Sequence, residues 1–410
     1  LIKGTSLKTI VESQGLNETE RLLSESLKSG ELKPSDFSWG EMVRCLVHQD
    51  GEIALKALSG YQKTGNPVQR VLSETIDVSA FNTLQGQILF GEMRIGWDRA
   101  ENRISSMIPT RQTKISGEKI PGIGLMSRYG YKIHAGEPIP QADFGQWYVQ
   151  TAPIEKSALI CDVTWEAAYY DRTGDLLERA RDVGNQLAKN KELRCCSVVS
   201  GATLTLDNQT FSPNNYALYK GALGGAFNTY STSTQTTSSV SIQANALAST
   251  PIVDEVAVET LAQLATEQLH PDNGQRLAIR SQLNTLIVMP AKRQTVRRFM
   301  DAREIRNTTN TTVNTYGPRD VLPYELVISD TLYGQIIDSG ITAANAKDWY
   351  FLCNPSKAWV YMQVRPLDIE QAPALGDLAF QNDLVLRVRG IEMGVPQVLD
   401  PRYTYKGYNS

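Results

Sequence analysis

The sequence predicts an α+β fold. Three observations carry this expectation. The stretch 171–194, DRTGDLLERARDVGNQLAKNKELR, has the apolar spacing of one long helix. Segments of alternating apolar residues stand before and after it, as strands with one buried face do. Between Arg111 and Pro140, glycines at 117, 122, 124, 130 and 136 and prolines at 121, 138 and 140 cut the chain into short extended pieces.

Taken in order, residues 1–70 are polar and evenly charged. Asn17 can cap a helix through Leu22, Leu23 and Leu27 that Gly30 ends, and Ser35 or Ser38 can cap another through Met42, Val43 and Leu46. Neither builds a core of its own, so the region reads as an arm that lies on another surface. The alternative is a small helical domain. Residues 71–104 carry a better helix, with Leu84, Ile88, Met93 and Trp97 among its apolar positions.

The Gly/Pro-rich region that follows is a long loop of turns and extended pieces, Tyr129–Ile133 among them. Loops of this length in compact domains are usually functional. Gly122-Ile-Gly124 starts like a dinucleotide fingerprint, but Ser127 stands where the third glycine belongs. Ile115, Ile120, Ile123, Leu125 and Met126 are the few apolar side chains here, beside Lys114 and Lys119. A two-stranded ribbon is barely stable alone in water, so the loop needs a partner surface.

Trp147, Val149, Ile160, Val163 and Trp165 restore the β alternation and lead into the long helix. Its apolar stripe is Leu176, Ala180, Val183 and Leu187, with Glu178, Arg179, Arg181, Asp182, Asn185 and Lys189 opposite. Asp171 or Thr173 can cap it, and Asp175 suits the positive end of its dipole. At 1.5 Å per residue it is roughly 36 Å long. The stripe predicts burial against a sheet. Gly184 in its interior is a weak point, costing about 1 kcal/mol relative to Ala.

After the helix, Cys195–Val199 and Ala202–Leu206 read as strands. Residues 228–250, NTYSTSTQTTSSVSIQANALAST, are of low complexity and read equally as a flexible loop or an ordered surface segment. A helix follows over Val253–Leu269, with Val256, Leu261, Leu264 and Ala265 on one side. Asn284–Met289 is a buried strand, and Pro290 opens a basic helix, AKRQTVRRFMDAREIR, that runs to Arg306. Two readings stay open for Arg297 and Arg298 on its face: a solvated surface, or contact with DNA backbone or a neighbouring subunit. Tyr324–Ser329 is a further strand. Trp349–Cys353 and Ala358–Gln363, separated by Asn354-Pro355, read as a hairpin, and Leu384–Val388 and Ile391–Met393 close the chain.

Composition is that of a globular protein: 410 residues, 41% apolar, 21% charged, with a formal net charge of -3. The acidic balance is not that of a nucleic-acid reader. The five cysteines at 45, 161, 195, 196 and 353 form no CxxC pair and read as reduced, buried thiols of an intracellular protein. His48, His134 and His270 are too scattered to suggest a zinc site. No run of about 18 apolar residues suggests a membrane span. The sequence has no GxSxG, P-loop or HExxH motif, so no catalytic, cofactor-binding or metal-ligating residues are expected.

The order of these elements resembles the major capsid proteins of tailed bacteriophages, the Hong Kong 97 fold. The resemblance is carried by the Gly/Pro-punctuated loop, by VTWEAAYYD (163–171) leading into the long helix, and by ALYKGALGGAFNT (217–229). NTLIVMPAKRQTVRRF (284–299), ELVISDTL (325–332), DWYFLCNPSKAWVYM (348–362) and VRGIEMGVPQVLDPRYTYK (388–406) continue it. It implies an N-terminal arm over 1–104, an extended β-hairpin loop over 105–150, and a peripheral domain over 151–221 with 171–194 as its spine helix. An axial domain over 222–378 and a return to the peripheral domain over 379–410 complete it. It further implies self-assembly into the pentamers and hexamers of an icosahedral shell around double-stranded DNA. Portal protein and scaffold or decoration proteins are the implied partners, with no membrane, and assembly takes place in the host cytoplasm. Lys114, Ile115, Lys119, Ile120, Ile123, Leu125 and Met126 would then touch a neighbouring subunit. An encapsulin-type bacterial compartment resembles the same fold and is the alternative.

Overall fold

The computed structural model describes residues 78–100, 102–121, 132–134, 136–138, 147–164, 175–214, 216–220, 223–237, 240–269, 276–300, 305–309, 312–316, 324–371 and 384–409. The expected helices of the arm at 17–30 and 35–46, the caps at Asp171 and Thr173, and Trp165 fall outside them.

In chain order, helix α1 (Val78–Arg99) is followed by α2 (Arg103–Met107), β1 (Thr110–Gln112), β2 (Lys119–Pro121), β3 (Trp147–Gln150) and β4 (Glu155–Thr164). The long helix α3 is Asp175–Ser200, and then come β5 (Leu204–Leu206), β6 (Gln209–Phe211), β7 (Tyr216–Lys220), β8 (Leu223–Phe227), β9 (Gln235–Thr237), β10 (Val240–Ile242) and β11 (Ala246–Ala248). Next are α4 (Glu255–Glu267), β12 (Thr285–Val288), a 3-10 turn at Pro290–Lys292, α5 (Arg293–Met300), β13 (Ile305–Thr309), β14 (Thr312–Tyr316) and β15 (Glu325–Ile328). The chain closes with α6 (Asp330–Asp338), α7 (Ala343–Ala346), β16 (Tyr350–Cys353), α8 (Pro355–Ala358), β17 (Trp359–Gln371), β18 (Leu384–Val398) and β19 (Thr404–Tyr408).

The described residues form two compact units. One draws on α1 with residues 156–190 and 365–393, the other on residues 102–155, 191–364 and 394–409. α3 and β18 each contribute residues to both units.

In the first unit α1 crosses the first half of α3. The stripe expected on α3 is met by Ala180 and Leu187, which are buried, whereas Val183 is half-exposed and the side chain of Leu176 lies outside the described residues. Gly184 is buried at the crossing. A Cβ built there would lie 1.9 Å from the Met93 carbonyl oxygen, and one on Gly96 would lie 2.0 Å from that of Arg181. The two glycines let the helix backbones touch, so Gly184 is a packing requirement rather than a defect. Arg181 holds the buried Glu92 across the same crossing, at 2.9 Å from Nε and 2.6 Å from Nη2. One turn further along the same side, Leu187 packs against Gly390 of β18.

The second unit is layered around a five-stranded mixed sheet of order β11-β19-β16-β12-β15. β12 runs parallel to β15 and antiparallel to β16, with Ile287 opposite Phe351. All four residues of β12 and of β16 are buried, as in strands covered on both faces. One face carries Ile287, Phe351 and Cys353 against Cys195, Cys196, Val198 and Val199 of α3 and Leu332 and Ile336 of α6. The other carries Leu286, Val288 and Tyr350 against Val258, Leu261 and Ala265 of α4 and Val296 and Phe299 of α5. A second sheet, β2-β3-β7-β8, packs Trp147, Val149 and Leu218 into the first of these clusters.

Several expectations are corrected. Cys195–Val199 is the end of α3, not a strand; a short apolar run buried on all sides carries no periodicity that separates the two. The helix stops at Gly201, whose φ of +67° suits the left-handed cap, with its N–H bonded to Ser197 O at 3.0 Å. Residues 349–363 are not a hairpin. Both edges of β16 are occupied, by β12 and β19. Pro355 starts one turn of helix that sends β17 into another sheet, where Tyr361 pairs with Thr110 of β1. The basic helix is described over Arg293–Met300, and Arg306, expected at its end, lies instead in Ile305–Thr309, a strand paired with β14. Val256 is 57% exposed, and the buried face of α4 is Ala257, Val258, Leu261, Ala262 and Ala265. Within 228–250 the described residues are ordered. Buried Asn245 donates to the carbonyls of Thr229, Pro401 and Thr404 and accepts from Ser231 N–H.

The segment 102–112 is anchored in the core at two places, while Thr110, Arg111 and Gln112 are exposed. Ile104 and Ile108 are buried in the central cluster. The buried carboxylate of Glu192 accepts from the N–H groups of Ile104 at 2.7 Å and Ser105 at 2.8 Å, satisfying the first turn of α2.

Candidate functional site

A protein expected to bury surface against its own copies should expose apolar groups on rigid supports. The base of the expected loop meets that description. β2 and β3 are antiparallel, Ile120 opposite Val149, with residues 122–146 between them. The turn before β2 is held by four hydrogen bonds, three to residues outside it and one within it. Thr113 N–H bonds Gln363 O at 2.9 Å, Thr113 Oγ1 accepts from Ile115 N–H at 3.1 Å, Thr151 N–H bonds Glu118 O at 3.1 Å, and Ile154 N–H bonds Ser116 Oγ at 3.1 Å. Gly117, at φ +68°, takes the conformation this turn needs. At its apex Ile115 is 64% exposed beside exposed Lys114.

Lys119 is exposed, its Nζ 4.8 Å from the centroid of Tyr148. Ile120 is buried against Val360, Met362 and Val395 of its own chain. Ile123, Leu125 and Met126 fall outside the described residues. Arg297 and Arg298 lie side by side on the exposed face of α5, opposite buried Val296, Phe299 and Met300. Lys292, just before them, is tied to Asp348 at 2.7 Å.

The sequence missed other exposed apolar positions. Leu159 and Ile160 of β4 are 40% and 55% exposed. Successive strand residues point to opposite faces, so both faces of this edge strand are open there. Val253, just before the N-cap of α4, and Val256, in its first turn, are also exposed. Alternation could not reveal Ile160, because its pattern assumes one covered face.

Rigid elements that hold exposed apolar side chains are the marks of a subunit built for assembly. The family model for phage capsid protein matches residues 148–407, and the chain belongs to that family. It is a structural protein of the bacteriophage virion shell, and the family decides for the viral reading over the encapsulin alternative. Comparison with curated protein sequences finds no match. Among solved structures the chain is similar to the capsid of a native GTA particle, at 9% identity and TM-score 0.45, covering 76% of this chain and 91% of that one. It is also similar to Mycobacterium phage Bobi, at 12% identity and TM-score 0.42, covering 75% and 90%. A virus-like particle from Pyrococcus furiosus matches at 8% identity and TM-score 0.38, covering 78% and 97%.

Proposed function

We propose that this chain is the major head protein of a tailed bacteriophage with the Hong Kong 97 architecture. It assembles in the host cytoplasm into pentamers and hexamers that enclose double-stranded DNA, and it catalyses no reaction. The observation that carries the reading is the family match over residues 148–407. Exposed Ile115, fixed on a bonded turn, supports the loop as a contact between neighbours together with Lys114 and Lys119. Portal and scaffold or decoration proteins are partners of such a shell. Arg297 and Arg298 are the side chains for packaged DNA, held as backbone contacts without sequence specificity.

Electron microscopy of the purified chain tests the assembly, with rings or closed shells as the expected result. A sedimentation profile holding only a compact monomer at micromolar concentration overturns it. For the DNA role, Arg297→Glu with Arg298→Glu is expected to leave empty shells intact and lower the DNA packaged. Unchanged packaging, or loss of the empty shells as well, refutes that role.

A further inference from the structure

β4 stands at one end of the four-stranded sheet of order β1-β17-β18-β4, bonded to β18 on one side. Among the described residues nothing pairs with its other edge. An open edge is a row of backbone donors and acceptors ready for another strand, and proteins ordinarily guard it with charge or proline. The middle of β4 carries neither. Ala158, Leu159 and Ile160 are consecutive, apolar and exposed.

The strand is firmly held from its own side. Cys161 and Val163 are buried, and the Ser157 hydroxyl donates to Asn190 Oδ1 of α3 at 3.4 Å. On the alternate face Arg387 of β18 donates to both oxygens of Asp162, at 2.5 Å and 2.6 Å. The Asp162 carboxylate is still 37% exposed, and a carboxylate can accept more bonds than the two that Arg387 gives. Lys156 is exposed and has no anionic partner among the described residues.

From Lys156 to Asp162 the strand reads KSALICD, which is complementary to itself run backwards. In an antiparallel pair of two copies centred on Leu159, Leu159 faces Leu159, Ala158 faces Ile160, and Lys156 faces Asp162 at both ends. Residues 156, 158, 160 and 162 share one face, so both ion pairs flank the apolar contact on the face where Arg387 orients Asp162. A shift of two residues in either direction loses both ion pairs.

We propose that β4 pairs antiparallel with β4 of a second copy across a two-fold axis at Leu159, joining the two sheets into one. The contact is isologous, with the same patch used on both copies. One strand pair buries far less than the roughly 1,200 Å² of a stable complex, so it acts beside other contacts between copies and rests to that extent on the assembly reading.

The test is disulfide trapping in the full chain, as free chain and in particles, with each particle sample imaged by electron microscopy. The wild type, with its own cysteines in place, sets the baseline. Leu159→Cys brings identical thiols face to face and is expected to give a covalent dimer on mild oxidation. Ile160→Cys alone sets its thiols on a diagonal of roughly 7–8 Å and is expected to give at least about tenfold less. Ala158→Cys with Ile160→Cys in one chain restores facing pairs and is expected to crosslink like Leu159→Cys; it serves equally if Leu159→Cys fails to fold. Lys156→Glu added to Leu159→Cys turns two attractions into repulsions and is expected to slow crosslinking about fivefold at low salt. No dimer above baseline from Leu159→Cys or from the double variant, in free chain and particles alike, overturns the proposal. Equal dimer from Ile160→Cys, or an unchanged rate with Lys156→Glu, overturns it too, since the register is then wrong. Particles without the crosslink defeat the pairing and leave the shell reading standing, whereas the crosslink without particles does the reverse.

Discussion

Replacing Gly184 by alanine separates two physical arguments that differ in sign. Helix propensity alone predicts a gain of about 1 kcal/mol, since glycine in a helix interior costs that much relative to alanine. The structure predicts a loss. The new Cβ would stand 1.9 Å from the Met93 carbonyl oxygen, where real contacts do not fall below 3.0 Å. The atom met is backbone, which cannot swing aside, so α1 and α3 must part by about 1 Å at their crossing. A gap of that size forfeits a quarter to a half of each close contact at the seam and stretches the Arg181–Glu92 pair. Overpacking typically costs about 1–3 kcal/mol, and weakening a charged hydrogen bond about 1–2 kcal/mol more. After the propensity gain is subtracted, a net loss of about 2 kcal/mol is expected. Gly96→Ala should behave alike, since its Cβ would meet Arg181 O at 2.0 Å. Gly334→Ala, on α6 with nothing within 4 Å, supplies the control and should be neutral or stabilising by up to about 1 kcal/mol. The assay is urea unfolding of the unassembled chain followed by circular dichroism. A Gly184→Ala midpoint equal to or above the wild type, alongside a raised Gly334→Ala midpoint, refutes the close crossing.

Glu192→Gln removes the charge that receives the Ile104 and Ser105 N–H groups and should cost about 1–3 kcal/mol in the same assay; an unchanged midpoint would show that α2 is capped by something else. Lys406 gives a pH signature. Its folded value, about 7, lies below that of the unfolded chain, so the unfolded state binds more protons above pH 7. Stability should therefore rise with pH from about 7 to 8.5, with a slope of at most about 1.4 kcal/mol per pH unit. Above that, buried Cys353 and Tyr350, both pushed up by desolvation, contribute the opposite slope, because the folded chain then retains protons the unfolded chain has lost. Lys406→Met should flatten the rise; an equal slope in that variant would place the titrating group elsewhere.

Local pattern was enough for part of this protein. The long helix, the buried run of β12 and the helix opening at Pro290 are written in nearby residues, because amphipathic spacing, a continuous apolar strand and a proline at N1 each act within one element. The family was legible for a related reason: it lies in the order of such segments, and order is a property of sequence. What sequence could not supply depends on residues far apart in the chain. Cys195–Val199 became helix because the core closes over every side of it. The strand after Ala358 left its expected partner because β12 and β19 already held both edges of β16. Ile120 lost its place on the outer surface to Val360, Met362 and Val395, and Lys406 met Trp349 and the end of α3. Gly184 shows the division most plainly: propensity makes it a weakness of its own helix, and only the approach of a second helix, whose Met93 backbone lies against it, makes it necessary. Burial, edge occupancy and backbone contact are set by what arrives from elsewhere in the chain, and only the folded structure decides them.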